Sequence, residues 1–267
     1  MSTEKRKGAR SVGDITPQLR AQLNQGAIPT ANLVEWLAVD QVVLLEQLLK
    51  QLDRMQYYQP VTTAIAHLQK KTVNTINEAI GTALLRQIRE HRDEQIIPAL
   101  FTHTADLVRC WGAYLVGKDP ALDITEKLHR IQLFAADEHF GVREIGWMAV
   151  RPAITAQLQE SIGILATWTT AADANIRRFA TEATRPRGVW CAHIELLKQQ
   201  PEMALALLTP LRADPSRYVR DSVGNWLNDA SKTRPDFVRD LCWQWQRESD
   251  TPATTYIIRR ALRTLDK

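Results

Sequence analysis

The second half of the chain repeats itself, and this narrows the possible folds more than any other feature. Four segments carry an Asp followed, after a variable gap, by a β-branched residue and an Arg. They run from Asp137 to Val142-Arg143, Asp173 to Ile176-Arg177, Asp214 to Val219-Arg220 and Asp250 to Ile258-Arg259. The arginines are 34, 43 and 39 residues apart. Arg151-Pro152, Arg185-Pro186 and Arg234-Pro235 follow in three of the four units. Proline lacks the backbone donor a continuing helix needs, so each of these pairs is expected to close one. Helix, turn and helix recurring at about 40 residues form a unit that buries its apolar side only against neighbouring copies. Within each unit, the Asp should cap or bridge the turn, the β-branched residue should pack inward, and the Arg should open the second helix.

The rest of the chain agrees with an all-helical reading. Eleven glycines in 267 residues, about 4%, fall below the usual ~7% and leave few places for hairpin turns. Apolar residues recur at three- and four-residue spacing over 15–25, 33–52, 61–91 and 104–116, the pattern of amphipathic helices. Gly26, Pro29 and Pro98 separate them, and Lys118-Asp119-Pro120 reads as a turn. The expectation is an all-α, HEAT-like helical-repeat solenoid, an α-α superhelix. It would form a single domain over 15–267, with its clearest repeats over 123–267, preceded by a flexible basic tail over 1–14. The alternative is an irregular helical bundle. No run approaches the ~18 apolar residues of a spanning helix, so no membrane partner is expected. The first 14 residues are basic and polar, unlike a secretory signal. Three cysteines without CxxC spacing fit a reducing compartment, so a cytoplasmic protein is expected.

Absent motifs limit the chemistry. GxGxxG, GxxxxGK[ST] and GxSxG do not occur, and the six histidines show no HExxH spacing. Neither a cofactor nor a metal is expected. Net charge is +4 from 34 basic and 30 acidic residues, and each half carries about +2. The kind of base differs, however. Residues 1–135 hold nine Arg and seven Lys, whereas 136–267 hold fifteen Arg and three Lys. Arginine is the side chain suited to bidentate phosphate contacts, although it also serves ordinary ion pairs.

Counting from each repeat's Arg, offsets +1, +5 and +9 lie one above another on a helix. They hold Glu144 and Met148; Arg178 and Glu182; Asp221, Asn225 and Asp229; and Arg260 and Thr264. Offsets +2 and +3 are mostly apolar or small, so a core side should adjoin a polar ridge of mixed charge. In a solenoid such second helices line the concave surface. Each acid also has an ordinary reading: Glu182 as an intrahelical partner of Arg178 and Arg185, Asp229 as a partner of Lys232, Glu144 as part of a solvated face. Trp147 and Trp226 fall near the ridge and are candidate ligand contacts. The other tryptophans of the second half read as core.

Segments 35–40 (EWLAVD), 137–144 (DEHFGVRE), 177–187 (RRFATEATRPR) and 214–232 (DPSRYVRDSVGNWLNDASK) resemble the bacterial DNA alkylation-repair proteins of the AlkC/AlkD type. The resemblance is closer to the AlkC branch. It runs from about 17 to 265 and is most specific around Glu182 and Asp229. It implies a HEAT-like monofunctional DNA glycosylase that removes cationic N3- and N7-alkylated purines from duplex DNA without flipping the base. It also implies that Glu182 and Asp229 are active-site carboxylates. A further acid belongs near Arg143, where Glu138 and Glu144 both stand in a segment that departs from the AlkC pattern.

The chemistry of such a lesion fits this arrangement. An alkylated purine is already a cationic leaving group, and cleavage builds positive charge on the sugar that a carboxylate can stabilise. The pool expected to contact DNA is Arg143, Arg177, Arg178, Arg185, Arg187, Arg220 and Lys232, joined by Trp147 and Trp226. The partner would be double-stranded DNA with alkylated bases, bound by a monomer. The alternatives are a non-catalytic HEAT-repeat DNA-binding module and a protein-interaction scaffold.

Overall fold

The computed structural model describes residues 6–266, with helices and turns and no strand among them. Residues 1–5 of the expected tail lie outside the described residues. The helices are α1 (Pro17–Asn24), α2 (Leu33–Ala38), α3 (Gln41–Gln51), α4 (Tyr58–Ala66), α5 (Val73–His91), α6 (Ile97–Phe101), α7 (Asp106–Lys118) and α8 (Ile124–Ala135). They continue with α9 (Phe140–Ala156), α10 (Leu158–Trp168), α11 (Ala174–Glu182), α12 (Glu195–Gln199), α13 (Leu205–Leu208), α14 (Arg217–Ser231), α15 (Pro235–Glu248) and α16 (Pro252–Leu262). No described helix is long and apolar enough to cross a membrane.

The chain forms two compact units. The N-terminal unit comprises Met1–Ala121 with Glu138–Ala149, and the C-terminal unit comprises Leu122–Asp137 with Val150–Lys267. In the first, α5 packs on α7 and α7 on the middle of α9 through glycines. A Cβ on Gly81 would lie 2.8 Å from the Trp111 carbonyl oxygen, and one on Gly117 would press into the Ala149 carbonyl. Residues 6–14 join this unit through a buried acid. Arg6 reaches both oxygens of Glu35 at 2.7 and 2.6 Å, and the amides of Ala9 and Ala31 donate to the same carboxylate at 3.0 and 2.8 Å. Burial pushes the Glu35 carboxyl up, but Arg6 and those two amides outweigh it and hold it below its ordinary value.

Two long helical stretches divide where a cap intervenes. The stretch over 33–52 splits because the Asp40 carboxylate takes the amides of Val42 and Val43 and starts α3. The stretch over 61–91 splits because Thr72 forms a capping box with Thr75 ahead of α5. In both cases the apolar period continues across the break, so spacing alone conceals it. Pro152 is a correction of the opposite kind. It lies inside α9 rather than closing it, leaving the Met148 carbonyl without its usual helical donor. Pro186 follows the end of α11, and Pro235 opens α15 at a position where no donor is needed.

In the C-terminal unit the second helices α11, α14 and α16 pack side by side. Gly224 permits the closest approach, because a Cβ there would sit 2.8 Å from the Cβ of Arg260. The repeat motif has a visible job. Arg177 Nη1 donates to the carbonyls of Ala171 and Ala172 at 2.8 Å each, and Arg220 Nη1 donates to those of Asp214 and Pro215 at 2.9 and 2.8 Å. Arg177 also grips the Asp214 carboxylate of the following repeat at 2.7 and 3.0 Å. Each Arg thus ties its helix to the preceding turn, and the Asp links successive repeats. Arg109 on α7 does the same to the carbonyls of His103 and Thr104 at 2.6 and 3.1 Å. Its motif, Asp106-Leu-Val108-Arg109, lies 34 residues before Arg143 and extends the register into the first half. Val108, Val142 and Val219 are fully buried, as inward packing of the β-branched position requires, whereas Ile176 is only half-buried. The fourth unit departs from the expected motif: Ile257 rather than Ile258 is buried, and Arg259 lies in the last turn of α16 instead of opening it.

Candidate functional site

Glu182 ends α11, and Asp229 lies in the last turn of α14. The carbonyl end of a helix is an unfavourable place for an acid, so each needs compensation. Arg185, just past α11, supplies it to both. Its Nη1 donates to Glu182 Oε1 at 2.8 Å, while Nε and Nη2 donate to Asp229 Oδ2 at 2.9 and 2.7 Å. Ser222 donates to the other Glu182 oxygen at 2.7 Å and accepts from Thr181 at 2.8 Å. Arg178 stands 3.5 Å from Glu182, its guanidinium 4.2 Å from the centre of the Tyr218 ring. Lys232 reaches Asp229 Oδ1 at 3.3 Å.

The carboxylates are 5% and 3% exposed, so their charge is held by these partners rather than by water. Burial raises the Glu182 carboxyl, but the charges of Arg178 and Arg185 and the hydrogen bonds from Arg185 and Ser222 bring it below the ordinary value. Glu182 is therefore ionised at neutral pH. Burial alone would lower Arg185, and the two acids raise it above its normal range. The arrangement is an acceptor pair cross-linked by one guanidinium. A second cation arriving at these oxygens competes with Arg185 for them.

Behind the pair lies Arg151, 3% exposed and directed at backbone. It donates to the carbonyls of Ala183, Arg185 and Ala192 at 2.8, 2.6 and 3.1 Å. These include the first carbonyls beyond α11, so a buried cation offsets the negative end of the helix that carries Glu182.

Of the residues singled out in the sequence, the structure brings together Arg178, Glu182, Arg185, Asp229 and Lys232. Arg187 lies beside the end of α14, donating to Thr233 Oγ1 at 2.7 Å. Arg177 and Arg220 serve the repeat turns described above. Trp226 is fully buried, and its indole donates to the Thr184 carbonyl at 3.1 Å, packing α14 against the end of α11. Glu138, Arg143, Glu144 and Trp147 belong to the N-terminal unit. There Glu138 is exposed, Arg143 and Glu144 are half-buried, and Trp147 is 3% exposed with its Nε1 2.9 Å from Glu144 Oε2. Among the described residues, no three His, Cys, Asp or Glu side chains converge as a metal site would require.

Ser222, Thr181, Tyr218 and Arg151 escaped the sequence reading. Ser222 carried a usable signal. It is polar at offset +2, where the other repeats have Ile145, Phe179 and Ala261. Arg151 gave none, since in sequence it only marked an Arg-Pro pair.

No protein-family model matches the chain. One curated relative, the uncharacterised protein YhaZ of Bacillus subtilis (strain 168), is 38% identical over 139 residues, covering 52% of this chain and 38% of YhaZ. Among solved structures, the Pseudomonas fluorescens alkylpurine DNA glycosylase AlkC, bound to DNA containing an abasic site analog, aligns with a TM-score of 0.68 at 21% identity. That alignment covers 97% of this chain and 66% of AlkC, so this chain spans just under two thirds of that protein's length. AlkD2 from Streptococcus mutans aligns with a TM-score of 0.61 at 22% identity, covering 79% of this chain and 99% of AlkD2. The protein smu.31 from Streptococcus mutans UA159 aligns at 0.54 and 21% identity, covering 83% and 96%. The chain has the all-α HEAT-like fold of AlkC and AlkD2.

Proposed function

We propose that this protein is a monofunctional DNA glycosylase that excises cationic N3- and N7-alkylated purines from duplex DNA without flipping the base. The observation that carries the reading is the Glu182–Arg185–Asp229 cluster on the ridge of second helices. Its support comes from a shared fold with an alkylpurine DNA glycosylase solved on DNA.

Alkylation at N3 or N7 gives the purine a positive charge, so it leaves readily and needs neither cofactor nor metal. The C1′–N bond breaks with its electron pair going to the base, and C1′ gains oxocarbenium character. A fixed anion beside the sugar stabilises that charge without reorganising at the moment of reaction. Water then adds to C1′, its proton passing to a carboxylate and on to solvent. Glu182 and Asp229 take these roles, and the lesion's charge competes with Arg185 for their oxygens. In this reading the duplex lies along α11, α14 and α16. Within the N-terminal unit, Glu138 or Glu144 is the candidate for a further catalytic acid, and Arg143 and Trp147 are candidate DNA contacts. Arg178, Arg187 and Lys232 take phosphates, and the protein acts as a monomer.

The test is release of N3-methyladenine or N7-methylguanine from alkylated duplex, measured below the melting temperature of every variant. Wild type should release base, and an E182Q/D229N double mutant should lose about 10²–10³ in rate. Equal release by the two sinks the enzyme reading.

A second reading, DNA binding without excision, is favoured by one observation. Both carboxylates are nearly inaccessible and already paired. It predicts salt-sensitive duplex binding with no base release from the wild type.

A further inference from the structure

Residues 183–194 join α11 to α12 without regular structure, yet they are fastened at several points. Arg151 holds the carbonyls of Ala183, Arg185 and Ala192. The Ile194 amide closes the loop onto the Pro186 carbonyl at 3.0 Å, and Arg187 ties it to Thr233. Gly188 is packed so tightly between the Arg151 guanidinium and Cys191 that a side chain there would meet both.

From this anchored base the tip turns outward. Val189 is 48% exposed and Trp190 is 84% exposed, the most open of the large apolar side chains. Trp190 also has φ of 66°, in the left-handed region that bulky residues rarely occupy. A slack loop would relax the backbone and fold the indole onto the surface. Here the anchoring holds the indole in water, in a conformation that favours nothing inside the chain. Its use lies outside. The segment carries no acid, and with Arg185 committed to Glu182 and Asp229 its remaining basic side chains are Arg187 and His193. An open aromatic face in an acid-free segment that also carries an arginine is the composition that meets an unstacked nucleobase and its phosphates.

We propose that the 183–194 connection is a clamped platform on which the Trp190 indole stacks against a nucleobase that has lost its neighbour in the duplex. This rests on the glycosylase reading for the origin of the gap. In an intact duplex each base face is covered by the next base. Excision leaves an abasic site whose flanking base has one face open. The platform would recognise the gapped product, and the weakened stack around the lesion, in preference to undamaged DNA.

The experiment uses the full chain and a duplex carrying a tetrahydrofuran abasic analogue with 2-aminopurine as the flanking base. Wild type should quench the 2-aminopurine fluorescence, and Trp190→Ala should abolish the quenching. The Ala variant should bind the gapped duplex about tenfold more weakly, as expected for a lost base–aromatic stack, and the intact duplex within about twofold of wild type. Trp190→Phe, which keeps an aromatic face, should recover most of the binding. Unchanged affinity and fluorescence in Trp190→Ala, or no duplex binding by the wild type, would overturn the proposal. Base release, measured in parallel, separates the two readings. Release without Trp190-dependent quenching removes the platform alone, whereas quenching without release removes the glycosylase reading alone.

Discussion

Arg185 binds two acids that would otherwise repel each other at neighbouring helix ends, so the stability of the site and its chemistry draw on the same residues. Glu182→Gln leaves Arg185 and Arg178 facing an uncharged amide at a site that water barely reaches. Breaking a buried pair in this way costs about 3–5 kcal/mol. At roughly 2–4 °C per kcal/mol for a protein of this size class, the melting temperature should fall by about 10 °C. The pH dependence has a definite sign. Because the folded carboxyl sits below its unfolded value of about 4.3, its contribution is complete above roughly pH 5 and is lost as pH falls through the lower folded value. Thermal melts from pH 7 to pH 3 should show wild type losing stability steeply at the acid end and Glu182→Gln losing less. Parallel profiles would show that Glu182 is not the ionised group described here. At this scale the sequence was informative about position but not about surroundings. Offsets from the repeat Arg placed Glu182 and Asp229 on one ridge, and the ion-pair readings of both acids correspond to contacts present in the fold. The same offsets placed Trp226 near that ridge, but whether it is covered depends on α11, which no offset within α14 encodes.

Helices were legible where the apolar period ended on a recognisable stop and obscured where it ran through one. The repeat Arg is the clearest case. Its spacing located the units at Arg143, Arg177 and Arg220 and missed the one at Arg109, while at Arg259 the motif matched a residue in the last turn of α16 rather than at its start. Close approaches between helices leave a fainter mark, since a glycine inside a helix looks like a defect until its neighbour is known. Two glycines test this difference. Gly117 in α7 faces the Ala149 carbonyl with no room for a methyl group, whereas an added Cβ at Gly163 in α10 would meet nothing within 4 Å. Alanine at either position gains helix propensity of about 1 kcal/mol. At Gly117 that gain is outweighed by forcing two backbones apart, an overpacking cost of about 1–3 kcal/mol or more. Urea titration should therefore find Gly117→Ala less stable than wild type and Gly163→Ala more stable. Matching shifts at the two sites would mean that α7 and α9 are not in the contact described.

The small net charge of the whole molecule conceals two populations of arginine, which a DNA-binding measurement can separate. Arg177 and Arg220 spend their donors on the repeat architecture: loop carbonyls for both, and the Asp214 carboxylate for Arg177. Such side chains have little left to offer a phosphate. Lys232 is different, 42% exposed at its side chain and only 3.3 Å from Asp229 in a pair worth little in water. In duplex binding, each neutralised phosphate contributes about 0.9 to the slope of log affinity against log salt. Lys232→Ala should therefore lower the magnitude of that slope by about 1 and leave the melting temperature nearly unchanged. Arg177→Met should do the reverse, preserving the slope while lowering stability by about 3–5 kcal/mol through loss of its buried pair. The sequence alone placed both residues in one basic pool, because composition counts charges without recording what they already hold. If Arg177→Met changes the salt slope and Lys232→Ala does not, the division drawn from the hydrogen bonds is wrong, and the duplex approaches the repeat turns rather than the ridge.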